Sequence, residues 1–195
     1  MTPTKVIRRL IDVAPPIIAE NARVPNRCVL ATAIGVATLA RFGIEAAPLA
    51  VSVRLANAAY MRWLEEGEPG GADEAVRRGA FVLDTSAGRL GPAGLSVMEI
   101  TGRAWNRHLV ILVPDRECVI DLDAQQLNRA ERGVHVPSAL VLNWPRGELE
   151  RTWPIGASCL YLRAEPQDRS FEAATDWQVF PEIVGRVERA IRKGR

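Results

Sequence analysis

Hydrophobic residues recur at helical spacing in the first forty positions of the chain. The Thr-Pro pair at residues 2–3 predicts a helix start, with Thr as the N-cap and Pro at the first helical position. We expect this helix to break at Pro15–Pro16, and a short second helix to run on to about Asn21. Residues 28–42 are apolar on almost every side, which predicts a buried helix that ends near Gly43.

Apolar runs of strand length follow, separated by turn residues and by short helical stretches. The two clearest strands are HLVILV and CVIDL, and the others are PLAVSVRLAN, AFVLDT, SVMEITG, SALVLNW and CLYLRAE. AAYMRWLEEG, ADEAVRRG and AQQLNRAERG read as short helices, and FPEIVGRVERAIRKG as a closing helix with one apolar stripe. Helices first, then a mostly antiparallel sheet and a final helix, predict an α+β fold with helices packed on one sheet. We expect residues 1–195 to form a single domain.

Composition excludes several classes of function. A net charge of +2 over 195 residues lacks the strongly basic face expected of a nucleic-acid-binding protein. The longest apolar run, CVLATAIGVATLA, is shorter than the roughly 20 residues that span a bilayer, and the charged N-terminus does not resemble a secretory signal. Three widely spaced cysteines and two histidines supply no usual metal-ligand pattern. We therefore expect a cytoplasmic protein with reduced thiols, no metal and no cofactor, and we expect His135 to lie on the surface.

Cys28 opens the apolar helix, directly after a proline-containing loop. A thiol at a helix start lies at the positive end of the helix dipole, near N–H groups that have no partner within the helix. Both features favour the thiolate, and the N–H of Cys28 itself can stabilise an oxyanion. Asn21 and Asn26 are further candidate donors, with a turn or N-cap role as the alternative for Asn26. Cys28 is therefore a candidate nucleophile, whereas Cys118 and Cys159 lie within strands and are expected to be buried and inert.

The hairpin built from the two clearest strands carries a histidine and two carboxylates. A short turn pairs Val113 with Cys118, and continuing the ladder places His108 opposite Asp123, with Asp121 on the diagonal. Side chains two residues apart share a face, so either carboxylate is a candidate partner for the imidazole. A thiol, an imidazole and a carboxylate are the general set of nucleophile, base and orienting group.

The order and context of these residues resemble the papain-like cysteine hydrolases, in their transglutaminase-like branch. RCVLATAIGVATLARFGIEAAPLAVSV resembles the nucleophile helix and following strand, and WNRHLVILVPDRECVIDLDAQQ resembles the His-strand, turn and Asp-strand. On that pattern Cys28 matches the nucleophile, His108 the base and Asp121 the orienting carboxylate. Asp123 stands where the branch usually has Thr or Ser, within an ending of the form D-x-[ST]-x-x-Q.

The resemblance implies a papain- or transglutaminase-like core and acyl transfer through a thioester. The substrate implied is a peptide, a protein or a small amide, and the reaction is hydrolysis, deamidation or transamidation. The alternative is a catalytically inactive member of the fold that binds a peptide or a protein partner. Two departures favour that alternative: Asp123 replaces Thr or Ser, and Leu109-Val110 follows His108 where the branch commonly has an H-x-W aromatic.

Overall fold

Helices and an antiparallel sheet make up the part of the chain that the computed structural model describes, which is residues 1–21, 27–85, 107–173, 177 and 179–194. The architecture is α+β, as the order of elements predicts. The helices of this part are α1 (Pro3–Asn21), α2 (Arg27–Ala40), α3 (Ala58–Glu65), α4 (Gly71–Arg77) and α5 (Pro181–Lys193). The strands are β1 (Ala47–Ala56), β2 (Val82–Asp84), β3 (His108–Val113), β4 (Cys118–Asp121), β5 (Leu140–Asn143), β6 (Glu150–Ile155) and β7 (Ser158–Ala164).

Helix α1 is continuous through Pro15 and Pro16, so the predicted break is wrong. Proline removes a backbone donor and crowds the preceding turn, which normally ends or kinks a helix. Here one face of α1 is buried on both sides of the prolines, through Leu10, Ala14 and Ile18. Packing of that face against the core outweighs the local cost and keeps the helix in register.

Strand β1 lies at the centre of the sheet, whose order is β5-β4-β3-β1-β7-β6 with β2 also paired to β1. Strand β3 pairs with residues 47–51 of β1, β2 pairs with residues 54–56, and β7 pairs with residues 51–56. All of these pairings are antiparallel. His108, the first residue of β3, therefore lies beside Val51 in the middle of the central strand.

The β3–β4 hairpin has the predicted register at its turn, where Val113 pairs with Cys118. The ladder continues only as far as the pair Ile111–Ile120, and the next residue of β4, Asp121, pairs with β5 instead. The chain then leaves the sheet in a 3-10 turn that starts at Ala124. The predicted pairing of His108 with Asp123 therefore does not form.

Helices α1, α2 and α5 share an apolar cluster with β3 and β4. Gly35 lets α2 lie directly on the sheet, because a Cβ at this position would overlap Ile111 Cδ1 and lie 2.8 Å from Leu122 Cδ1. Leu122 directly follows the last residue of β4. The contact at Gly35 therefore sets the separation between α2 and the end of β4.

Two other predictions need correction, and two cannot be compared with the structure. AQQLNRAERG forms two short 3-10 turns rather than a helix, and strand β6 was not expected because Pro154 interrupts its apolar pattern. The predicted strand SVMEITG and the Gly-rich stretch before it lie outside the described residues. Among the described residues, no helix is both long enough and apolar enough to cross a membrane.

Candidate active site

His108 and Asp121 form a buried pair at the start of the β3–β4 hairpin. His108 Nε2 lies 2.6 Å from Asp121 Oδ2, and the two residues are only 2% and 6% exposed. The other carboxylate oxygen, Asp121 Oδ1, accepts a hydrogen bond of 2.9 Å from the backbone N–H of Asp123. Of the two carboxylates that the sequence left open, Asp121 binds the imidazole, because β4 leaves the ladder before Asp123 can face His108 directly.

Cys28, the second residue of α2, is buried as His108 and Asp121 are. One turn later, Thr32 Oγ1 donates a hydrogen bond of 3.1 Å to the backbone carbonyl of Leu109, which ties this face of α2 to β3. Residues four apart lie on the same face of a helix, so Cys28 is directed to the same end of β3. It shares a buried cluster with Leu109, the residue after His108, and its side chain helps to raise the pKa of His108.

The surroundings of His108 favour its charged form. Burial by itself lowers the pKa of the imidazole, but the charge and hydrogen bond of Asp121, with a smaller contribution from Cys28, raise that pKa well above 6.5. These contacts favour the imidazolium over the neutral ring. Asp121 therefore both orients the ring and stabilises its positive charge.

Gln126 is a member of the site that the sequence reading did not single out. Its Nε2 lies 2.6 Å from His108 Nδ1, the ring nitrogen that Asp121 leaves open. The side chain comes from the 3-10 turn Ala124–Leu127, which brings it back over the end of β3. The final Gln of the D-x-[ST]-x-x-Q ending was the available signal, since Gln126 occupies that position in the sequence.

Arg27 and Asp123 form a second charged pair beside the first. Both Arg27 Nε and Nη2 lie 2.6 Å from Asp123 Oδ1. The Asp123 side chain is 2% exposed, whereas that of Arg27 is 31% exposed. Burial raises the pKa of the Asp123 carboxyl, and the positive charges of Arg27 and His108 act against that rise. The pair joins the residue before the candidate nucleophile to the residue whose N–H holds Asp121.

The remaining candidates lie elsewhere or outside the described residues. His135 is exposed, as expected of a surface histidine. Cys118 is buried as expected, but Cys159 is only partly buried, so its predicted burial is wrong; burial raises the pKa of both thiols. Strand β7 exposes alternate residues, which explains the position of Cys159. Asn26 and the side chain of Asn21 lie outside what the structure describes.

The described residues include no group of three or more His, Cys, Asp or Glu side chains placed to hold a metal ion. The groups present at the site are a thiol, an imidazole, a carboxylate and a primary amide, together with the Arg27–Asp123 pair. These groups can transfer a proton and form a covalent bond to an electrophilic carbon. Comparisons of this chain with protein-family models, with curated proteins and with solved structures find no match.

Proposed function

We propose that this chain is a cysteine-dependent acyl-transfer enzyme of the papain-like, transglutaminase-like kind. Cys28 is the nucleophile, His108 the general base and acid, and Asp121 the group that orients His108. The observation that carries the proposal is the buried bond of 2.6 Å between His108 and Asp121 at the same place as the Cys28 thiol. Asp121 and Gln126 already satisfy both ring nitrogens, so a histidine buried for stability alone would not need the thiol that also acts on this ring from the start of a helix.

The proposed reaction begins from the pair in which His108 already holds the thiol proton, and the Cys28 thiolate attacks an acyl carbon. A C–S bond forms, and the negative charge moves to the former carbonyl oxygen, near the first N–H groups of α2. The imidazolium then returns the proton to the leaving nitrogen as the C–N bond breaks, leaving a thioester on Cys28. Water or an amine, deprotonated by His108, attacks the thioester, the C–S bond breaks, the acyl product leaves, and the sulfur is restored beside the imidazolium.

The substrate we propose is an amide, as a peptide, a protein side chain or a small molecule. Attack by water gives hydrolysis or deamidation, and attack by an amine gives transamidation. Through the cycle, the role of Asp121 is to stabilise the imidazolium and to hold its tautomer.

An acylation experiment tests the nucleophile and the base together. In a C118S/C159S background Cys28 is the last of the three thiols, so every thiol signal belongs to it. We expect p-nitrophenyl acetate to release p-nitrophenolate in a burst and to leave an acetyl group on Cys28, detected by mass spectrometry. Iodoacetamide should alkylate the same thiol at pH 6, because His108 then carries the positive charge that stabilises the thiolate.

Two variants provide the controls. Cys28→Ser in the same background should abolish both modifications, and His108→Ala should slow them by about a hundredfold, as expected for loss of a general base. Alkylation of Cys28 that is slow at pH 6 and indifferent to His108→Ala would reject the enzyme. That outcome would favour the inactive, peptide-binding alternative.

A further inference from the structure

Asp123 is connected to both halves of the proposed active site. Its backbone N–H donates to Asp121 Oδ1 at 2.9 Å, and Asp121 in turn holds His108. Its carboxylate accepts two N–H groups of Arg27, the first residue of α2 and the neighbour of Cys28. One residue therefore links the start of the nucleophile helix to the pair that holds the base.

The pair is a poor choice if its role is stability alone. Removing a carboxylate from water costs several kcal/mol. When its partner stays partly in water, the attraction between the two charges often does no more than offset that cost. Asp123 Oδ2 is also buried, and no hydrogen-bond donor reaches it from the part of the chain that the structure describes. Arg27, at 31% exposure, would remain hydrated without its partner. The cost at Asp123 therefore calls for a role beyond stability.

We propose that the Arg27–Asp123 ion pair is a positioning device, which fixes the first turn of α2 so that the Cys28 thiol stays in contact with His108. This inference rests on the proposed function. Two N–H groups of a planar guanidinium on one oxygen restrict both the distance and the angle between α2 and the end of β4. The Thr or Ser that the resembled branch has at this position could not form such a charged link.

A charge effect and a positioning effect give the same prediction for Arg27→Gln but opposite predictions for Asp123→Asn. If the pair acted only through its charges, Arg27→Gln would remove a cation near the thiolate and slow alkylation of Cys28. By the same argument Asp123→Asn would remove an anion and speed alkylation. If the pair positions the thiol, both variants lose the same link, and both slow the reaction.

The experiment measures the alkylation rate of Cys28 by iodoacetamide from pH 5 to pH 9 in the C118S/C159S background. We expect Arg27→Gln and Asp123→Asn each to lower the rate at pH 6 by about tenfold or more, the scale expected of a misplaced reactive group. The double variant should be no slower than either single variant, because both singles remove one shared interaction. Arg27→Lys, which keeps the charge but not the planar pair of donors, should recover only part of the rate.

Folding and location are controlled separately. Arg186→Gln removes the exposed pair between Arg186 and Glu20, 2.7 Å apart, which joins α5 to α1, and it should leave the rate unchanged. Circular dichroism and thermal unfolding identify any variant that fails to fold. If Arg27→Gln, which leaves the buried Asp123 carboxylate unpaired, is such a variant, the double variant, which buries no unpaired charge, carries the test.

The result that overturns the inference is a rate that rises in Asp123→Asn, or single effects that simply add in the double variant. Failure of the proposed function looks different, because His108→Ala would then leave the alkylation rate of the parent unchanged. An alkylation rate that depends on His108 but not on Arg27 or Asp123 rejects the positioning role and still supports the proposed enzyme function.

Discussion

The carboxylate of Asp121 binds His108 Nε2 at 2.6 Å, although the two residues do not pair in the β3–β4 ladder. The contact is diagonal, reaching from the last residue of one strand to the first residue of its neighbour. Diagonal side chains in an antiparallel pair are within reach when both are long enough and share a face. Burial makes the contact costly to lose, because each polar group would then have no water to replace its partner.

His108 should remain positively charged at neutral pH. In a His135→Asn variant, the imidazole resonances in NMR spectra belong to His108, since the chain has two histidines. We expect them to titrate well above pH 6.5, because Asp121 and Cys28 outweigh burial in setting the pKa of the ring. Asp121→Asn removes the largest favourable contribution and leaves burial, so the pKa of His108 should fall below that of the parent by more than one unit.

The same shift makes stability depend on pH. The pKa of His108 is higher in the folded than in the unfolded state, so folding favours proton binding. The stabilisation from His108 is complete below its unfolded-state pKa, near 6.5, and is lost as pH rises through its folded-state pKa. Urea unfolding of the parent should therefore show a decline in this range that Asp121→Asn lacks. If the free energy of unfolding varied with pH in the same way in both proteins, that result would contradict a positively charged His108.

Gln126 lies at His108 Nδ1, the ring nitrogen that Asp121 leaves open, so a thiol that exchanges a proton with this nitrogen competes with Gln126 for it. A primary amide can offer N–H to a neutral ring or C=O to an imidazolium, whereas a leucine offers neither. We expect Gln126→Leu to raise the alkylation rate of Cys28 at pH 6, because the thiol then has Nδ1 to itself. Gln126→Glu can only accept, so it should raise the pKa of His108 further. Gln125→Leu, one residue earlier and also partly exposed, is the matched control.

A loss of rate in Gln126→Leu as large as that in His108→Ala would contradict this competition. It would mean that the amide holds the ring in place for the thiol. The NMR titration separates the two roles, since a ring that has lost its position should also lose the bond to Asp121 that keeps its pKa high.

The fold class, most element positions and the candidates Cys28 and His108 follow from local signals, whereas Asp121 was preferred to Asp123 only on the family resemblance. Period-two apolar runs mark β3 and β4, and the apolar run after Cys28 marks α2, because these patterns report directly on burial. Local rules failed where tertiary packing decided the outcome. Pro15 and Pro16 stay helical because α1 buries one face around them, and β6 forms despite Pro154 because it pairs along β7 at the edge of the sheet.

Two contacts of the site, Arg27–Asp123 and Gln126–His108, could not be predicted from the periodicity of the sequence. The link between Arg27 and Asp123 joins residues 96 positions apart, so it depends on how α2 lies on the sheet. Gln126 reaches His108 only because the chain turns in a 3-10 conformation after β4 rather than continuing as a strand. Spacing along the sequence contains neither the helix orientation nor the turn.

Glu117 adopts a left-handed conformation, with φ of 45°, in the turn between β3 and β4. A side chain in this region costs roughly 1 kcal/mol, which glycine avoids, although glycine also loses more entropy on folding. We expect Glu117→Gly to raise the free energy of unfolding by about 0.5 kcal/mol, measured by urea denaturation. Asp115→Gly in the same turn, where φ is not positive, should lower it. Equal losses in both variants would contradict strain at Glu117.

Gly35→Ala tests how closely α2 must lie on the sheet. The added methyl group would overlap Ile111 Cδ1 and approach Leu122 Cδ1, so α2 must shift or those side chains must leave their rotamers, at about 1–3 kcal/mol. Gly185→Ala in α5 is the control, because its Cβ would meet only the flexible end of Arg189, and alanine favours a helix by up to about 1 kcal/mol. Urea unfolding should therefore give opposite signs for the two variants. Because Leu122 adjoins Asp121, Gly35→Ala should also slow alkylation of Cys28 at pH 6, whereas a stability loss with an unchanged rate would show that the site tolerates movement of α2.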